Sequence, residues 1–267
     1  MKRVDSMKTL MWIPSFLILF TNLIYATDNK PVQIKLDTLN DQLSIKLDNR
    51  ALQLDYNFSH DVVFESAYGL QKVNKLHQAL QVYQKLLKLN ISKNLKIKTL
   101  INLSTLYIDL DQLKNALKMN QKALNIHNKR YKNTSILYED KAHLFMILTQ
   151  EGIIYHLQKL YKKALESYYK SLILAKKLLK DKPKHYQNQI ALIRYKIGLI
   201  YTHQKNNQKA LESYQKSLDI YKKLAKDTPK IYNKQVRKVL KKLALLYSKQ
   251  NQYSKALEMY QKRLKFY

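Results

Sequence analysis

The chain has no cysteine. A disulfide framework, a thiolate nucleophile and a cysteine metal site are thereby excluded. Glycine occurs three times and proline four times in 267 residues. So few turn-formers argue against an all-β protein with many tight turns and against a glycine-rich phosphate loop. Acidic residues are also scarce: 19 against 49 Lys and Arg, for a net charge of +30. The excess is nearly all Lys, with only six Arg. Such a charge suits an acidic partner, nucleic acid or an anionic surface. The planar Arg fork that reads phosphate and base edges is rare here, so specific nucleic-acid recognition is disfavoured. A hydrophobic content of 46% is ample for a core.

The first residues read as a secretory signal peptide. Lys2, Arg3 and Lys8 precede an apolar run from Leu10 to Phe20, and Ala26 is a small residue suited to cleavage. The run contains Pro14 and is broken by Thr21 and Asn22, which is short for a membrane span. The expectation is a signal peptide over 1–26 and a mature chain starting at Thr27, exported to the periplasm or secreted. The alternative is an inner-membrane anchor formed by 10–26. Residues 27–57 then alternate in period two, through Val32, Ile34 and Leu36 and through Leu43, Ile45 and Leu47. That spacing predicts short strands, with a disordered linker as the alternative.

From about residue 60 the chain repeats itself. KALESYYKSL (163–172), KALESYQKSL (209–218) and KALEMYQKRL (255–264) stand 46 residues apart. Laid on 198–243, residues 152–197 are identical at 24 of 46 positions, so the repeat is a whole structural unit and not one motif. Weaker copies place Ala79 and Ala116 upstream. Within a unit, Ala210, Leu211, Tyr214 and Leu218 recur at helical spacing, and NNQK separates them from a preceding helix ending in Leu199, Ile200 and Tyr201. Thr228-Pro229 marks the next helix start. Each unit is therefore two antiparallel helices, and the fold class is all-α. The helix pairs are expected near 60–92, 94–130, 134–181, 183–227 and 229–267, within one array over 58–267.

Gly198, Tyr201, Ala210 and Tyr214 have the offsets of the tetratricopeptide repeat, as do Gly152, Tyr155, Ala164 and Tyr168. Ala244, Tyr247, Ala256 and Tyr260 follow the same code in the last unit. Asn120 and Leu70 depart from it in the second and first units. The chain resembles an extended-repeat tetratricopeptide protein. The resemblance implies a right-handed α-solenoid of about five helix pairs, with a concave face lined by the first helices that receives a protein or peptide. By position that groove includes Phe64, Tyr68, Thr149, Ile153, His156, Tyr195, Leu199, Thr202, Lys241, Leu245 and Lys249. The family's carboxylate-clamp Asn falls here on Tyr68, Ile153, Leu199 and Leu245, which argues against chaperone-tail binding.

No residue set carries catalytic chemistry. The seven histidines contain no pair at the four-residue spacing of a helical metal site and no HExxH motif. Glu166, Glu212 and Glu258 recur in register, where pairing with a Lys four residues on accounts for them. The chain is thus expected to be a non-catalytic scaffold without cofactor or metal, binding an acidic protein or peptide. A lysine-rich binder of nucleic acid or anionic envelope surface is the alternative. Membrane contact is expected only through an uncleaved signal segment. At the end of the chain, Ala256, Leu257, Tyr260 and Leu264 are expected to face their own unit. Met259, Phe266 and Tyr267 are expected to point outward, for self-association or docking through the C-terminal helix.

Overall fold

The computed structural model describes three strands within residues 33–52, then residues 60–130 and 138–267. The signal-peptide reading of 1–26 and the start at Thr27 fall outside the described residues. The chain divides into two compact units between Leu95 and Lys96. That boundary lies inside a helix, not at the 57/58 boundary expected for the array.

In the first unit, β1 (Gln33–Asp37), β2 (Gln42–Leu47) and β3 (Arg50–Leu52) form an antiparallel sheet in the order β1-β2-β3. The register sets Ile34 opposite Ile45, Leu36 opposite Leu43, and Ile45 opposite Leu52. Period-two residues thus pair with one another across the ladder. The pair α1 (His60–Lys72) and α2 (Leu76–Leu86) follows. Phe64 and Tyr83 meet between them, ring centroids 5.8 Å apart.

The second unit holds most of α3 (Lys93–Asp109), α4 (Leu113–Arg130), and the pairs α5 (Tyr138–Leu157) with α6 (Tyr161–Leu178), α7 (Pro183–His203) with α8 (Asn207–Asp227), and α9 (Pro229–Lys249) with α10 (Tyr253–Leu264). Successive helices pack on one another, and one core runs from Phe145 through Leu172, Ile193, Tyr214 and Leu240 to Met259.

One device joins the two helices of every pair. A non-glycine residue adopts left-handed φ at Asn74, Asp111, Lys159, Lys205 and Asn251. The next amide then donates back across the helix end, as in Asn206 N to Tyr201 O at 2.9 Å and Gln252 N to Tyr247 O at 3.0 Å. This is the Schellman closure, in which a left-handed residue lets orphan carbonyls of the first helix be satisfied.

The small residues of the repeat code have a measurable reason. A Cβ on Gly198 would lie 2.6 Å from two ring carbons of Tyr214, and one on Gly152 would lie 2.5 Å from the Tyr168 ring. Both rings are buried. Gly69, on α1, would meet nothing within 4 Å. Opposite signs are therefore expected for two identical substitutions. Gly69→Ala should raise stability by about 0.5–1 kcal/mol, because helical Gly is entropically costly. At Gly198 the same gain is outweighed by overpacking of about 1–3 kcal/mol, leaving a net loss. Urea unfolding of both variants checks this, and a gain at Gly198 would show that the ring gives way freely.

Asn120, where the code calls for an aromatic, is buried and donates from Nδ2 to the Ile147 carbonyl at 3.1 Å. Gln150 donates from Nε2 to the Ile101 carbonyl at 3.0 Å. Departures from the apolar code thus tie α4 to α5 and α5 to α3 by polar contacts that require one register.

The last helix differs from expectation. Met259 is buried and Phe266 packs against the core, so neither points outward. Leu257, Tyr260 and Leu264 are exposed instead. The counterparts Tyr168 and Tyr214 lie against Gly152 and Gly198 of their own pairs, where the last pair carries Ala244. Tyr260 is therefore not the buried packing residue that Tyr168 and Tyr214 are. Tyr267 is exposed, with Arg237 4.2 Å from its ring centroid.

Candidate functional site: the first-helix face of α5, α7 and α9

Three contacts join the first helices of the second unit into one face. His156 on α5 and His203 on α7 lie with ring centroids 6.2 Å apart. Tyr161, at the start of α6, stacks on His203 at 5.7 Å. Lys238 on α9 sits over the Tyr195 ring of α7, 5.0 Å from its centroid. Along α9, Lys234, Lys238, Lys241, Leu245 and Lys249 are exposed at spacings of three and four, so they form one stripe. Leu245 is 40% exposed in the middle of it.

The electrostatics are one-sided. Neither α7 nor α9 contains an Asp or Glu, while α9 alone carries seven Lys and Arg. Burial lowers the Lys196 pKa, and the neighbouring Lys238 ammonium lowers it further. His156 is pushed down to about 4, first by burial and then by Lys196 and His203. It is therefore neutral at physiological pH. Two cations and two imidazoles thus share this face; α7 and α9 carry no carboxylate, while α5 carries Glu139, Asp140 and Glu151. An incoming carboxylate would relieve that repulsion.

The residues expected to line a groove divide into four sets. Ile153, His156, Leu199, Lys241, Leu245 and Lys249 are accessible in part or fully. Tyr195 is buried, with its ring 5.7 Å from that of Tyr214, and Phe64 is buried against Tyr83. Both belong to the core and not to a groove. Thr149 and Thr202 spend their hydroxyls inside the fold. Thr149 Oγ1 bonds the Phe145 carbonyl and Ser171 Oγ, and Thr202 Oγ1 bonds the Gly198 carbonyl and the Tyr214 hydroxyl. Tyr68 is 37% exposed on α1, with Lys72 4.9 Å from its ring centroid, and lies in the other compact unit.

Lys196, Lys238, Tyr161 and His203 are functional candidates that the repeat code did not single out. The signal was the absence of acid from two whole helices, which a scan for motifs passes over. Among the described residues no cluster of three or more His, Asp or Glu is placed to hold a metal ion. Among them, too, no helix is long and apolar enough to cross a membrane.

A stack of antiparallel helix pairs, with a small residue under a large ring at Gly152 and Gly198, defines an α-solenoid of helical repeats. Residues 143–223 and 189–267 match the family model of the tetratricopeptide repeat, so this part of the chain is built of tetratricopeptide repeats. No curated protein matches the chain in sequence. Among solved structures, the apo form of RapI is similar at 20% identity, covering 78% of this chain and 70% of that one, with a TM-score of 0.64. BtubC (BKLC) from P. vanneervenii is similar at 14% identity, over 77% and 78% of the two chains, with a TM-score of 0.62. A Rap protein complexed with Competence and Sporulation Factor is similar at 19% identity, over 78% of this chain and 53% of that one, with a TM-score of 0.55. At these identities the likeness is one of fold.

Proposed function

We propose that this chain is a non-catalytic scaffold that binds an acidic segment of a partner protein along the first-helix face of α5, α7 and α9. The carrying observation is that α7 and α9 present Lys196, Lys238, Lys241 and Lys249 around Leu199 and Leu245 without one acidic residue. Apolar side chains at the centre supply burial, and the lysines supply steering and orientation. The tetratricopeptide fold supports the reading, since a similar Rap protein is complexed with Competence and Sporulation Factor. The basic start, apolar run and Ala26 support work outside the cytoplasm.

The test is capture from the envelope fraction of the source cell, with residues 27–267 as bait, while N-terminal sequencing of the native protein fixes its start. Wild-type bait should retain a partner that Lys238→Glu/Lys241→Glu bait loses, with binding weakened by about tenfold or more. A control carrying Lys162→Glu/Lys177→Glu, both exposed on the second helix α6, should retain it. Equal loss in both variants, with binding to heparin that falls steeply in salt, would identify a general polyanion binder instead. An intact Met1 chain in the membrane fraction would overturn the start at Thr27 and point to the anchor formed by 10–26.

A further inference from the structure

The second helices hold a feature that the first-helix reading does not use. Between α6 and α8, over α7, lies an open cavity of about 440 Å³. Tyr169, Ile173, Lys176, Arg194, Ser213 and Lys216 are among its lining residues.

The repeat supplies its own control, because every lining position has a counterpart 46 residues on, between α8 and α10. Some of the lining is constant. Lys209 lies 5.6 Å from the Tyr201 ring centroid, as Lys255 lies 5.7 Å from Tyr247. Lys216 pairs with Glu212, as Lys262 pairs with Glu258. These contacts belong to the scaffold.

Four positions change together. In the later groove Leu240 and Met259 are buried. Here Arg194 and Ser213 stand in their places, and the space is open. In the later groove Asp219 supplies an acid, held by Gln215 Nε2 at 2.8 Å. Here Ile173 and Tyr169 stand in those places, and Ile173 is 58% exposed. Relative to its own repeat, this groove has lost one carboxylate, gained one guanidinium, and carries the smaller Ser213 where Met259 stands one unit later. Its only acidic lining residue is Glu212, which also feels Arg194 and Lys209.

We propose that the α6–α8 cavity is a second docking site, which takes an acidic side chain of a partner's extended segment beside Arg194 and Lys176, with an adjacent apolar side chain on Ile173. The incoming carboxylate supplies the negative charge that Asp219 supplies one unit later. The volume exceeds one carboxylate and the cavity is open to solvent, which fits two neighbouring side chains of a peptide and not an enclosed small molecule. Arg194 offers a planar fork for the carboxylate, a recognition that Lys cannot copy. Tyr169 and Tyr201, joined by their hydroxyls at 3.1 Å, form a fixed aromatic wall.

The experiment uses residues 27–267 and a fluorescein-labelled hexapeptide of alternating Glu and Leu, read by anisotropy. The wild type should bind it, and the same peptide with Gln for Glu should bind at least about tenfold more weakly. Arg194→Leu/Ser213→Met rewrites the cavity as the groove one unit later, with residues the fold already accommodates there, and should weaken binding by about tenfold. Lys176→Gln, at an exposed position, is the second variant and should weaken binding without altering the melting temperature. Lys238→Gln/Lys241→Gln, on the first-helix face, should leave the affinity for this peptide within about twofold. If that face variant abolishes binding and the cavity variants do not, the peptide binds elsewhere and the proposal is wrong while the first-helix reading stands. Equal binding of the Gln peptide, or no binding at millimolar peptide, also overturns it.

Discussion

Tyr214→Ala should lower the unfolding free energy by about 3–5 kcal/mol, the usual cost of emptying a large aromatic site in a core. The ring is 1% exposed, lies against Gly198 and faces Tyr195 at 5.7 Å. The helices on either side are held by their own backbone bonds, so the site cannot collapse without moving α7 toward α8. The hydroxyl adds a smaller contribution. It bonds Thr202 Oγ1 at 3.0 Å, and burial pushes its pKa up to about 12, so it remains protonated. Tyr214→Phe should therefore cost only about 1 kcal/mol. Tyr168 is the control within the chain. Its ring occupies the equivalent place over Gly152, yet its hydroxyl meets no hydrogen-bond partner among the described residues. Tyr168→Phe should be neutral or slightly stabilising. Urea unfolding of the three variants decides the matter; a loss below about 1 kcal/mol for Tyr214→Ala would mean that the ring does not lock the pair.

Ala210→Leu should be destabilising by about 1–3 kcal/mol or more, through overpacking. Ala210 is fully buried, and the aligned alanines Ala79, Ala116 and Ala164 are fully buried too. Ala256 is 5% exposed at the same place in the last pair. Three extra carbons at such a contact force α7 and α8 apart, and α9 rests on α8, so the displacement reaches the next pair. Glu212→Ala, two residues on, removes an exposed carboxylate paired with Lys216. It should change stability by less than about 0.5 kcal/mol. Thermal melts of the two variants provide the measurement, and comparable losses would place Ala210 away from the crossing.

Helix pairs were legible because the units write one code in phase. Alanine at the crossing, an aromatic four residues later and a polar turn between fix period and direction before any contact is known. The short strands were legible for the same reason, since Ile34, Leu36, Leu43 and Ile45 alternate and then pair. What a face does was harder to read. Tyr195 and Leu199 lie four residues apart on α7, and a small rotation separates a buried core position from an accessible one. Tyr195 went to the core because the Tyr214 ring lies beside it and Lys238 closes over it. The outward reading of Met259 failed against a signal present in the sequence. Its counterparts Ser167 and Ser213 are buried, so the position points inward whatever residue it carries. Tyr260 keeps the aromatic of the code but is exposed, and the small residue aligned with Gly198 in its pair is Ala244, which carries a Cβ. The α6–α8 cavity was legible in principle, because Arg194 against Leu240 and Ser213 against Met259 are differences between aligned units. Attention to what the repeats share hides such differences.

The left-handed residues and the crossing alanines advance along the chain by the same steps, 37, 48, 46 and 46 residues. Turn and crossing therefore travel together as one inheritable block. Excising 198–243 would join Ile197 to Ala244 in the middle of a first helix with its phase unbroken, and the following turn would still close at Asn251. Length in this molecule is thus a quantity that recombination could adjust in whole steps while keeping helix phase and turn. Each block also brings its own lysines, so the reach of the protein and its charge rise or fall together.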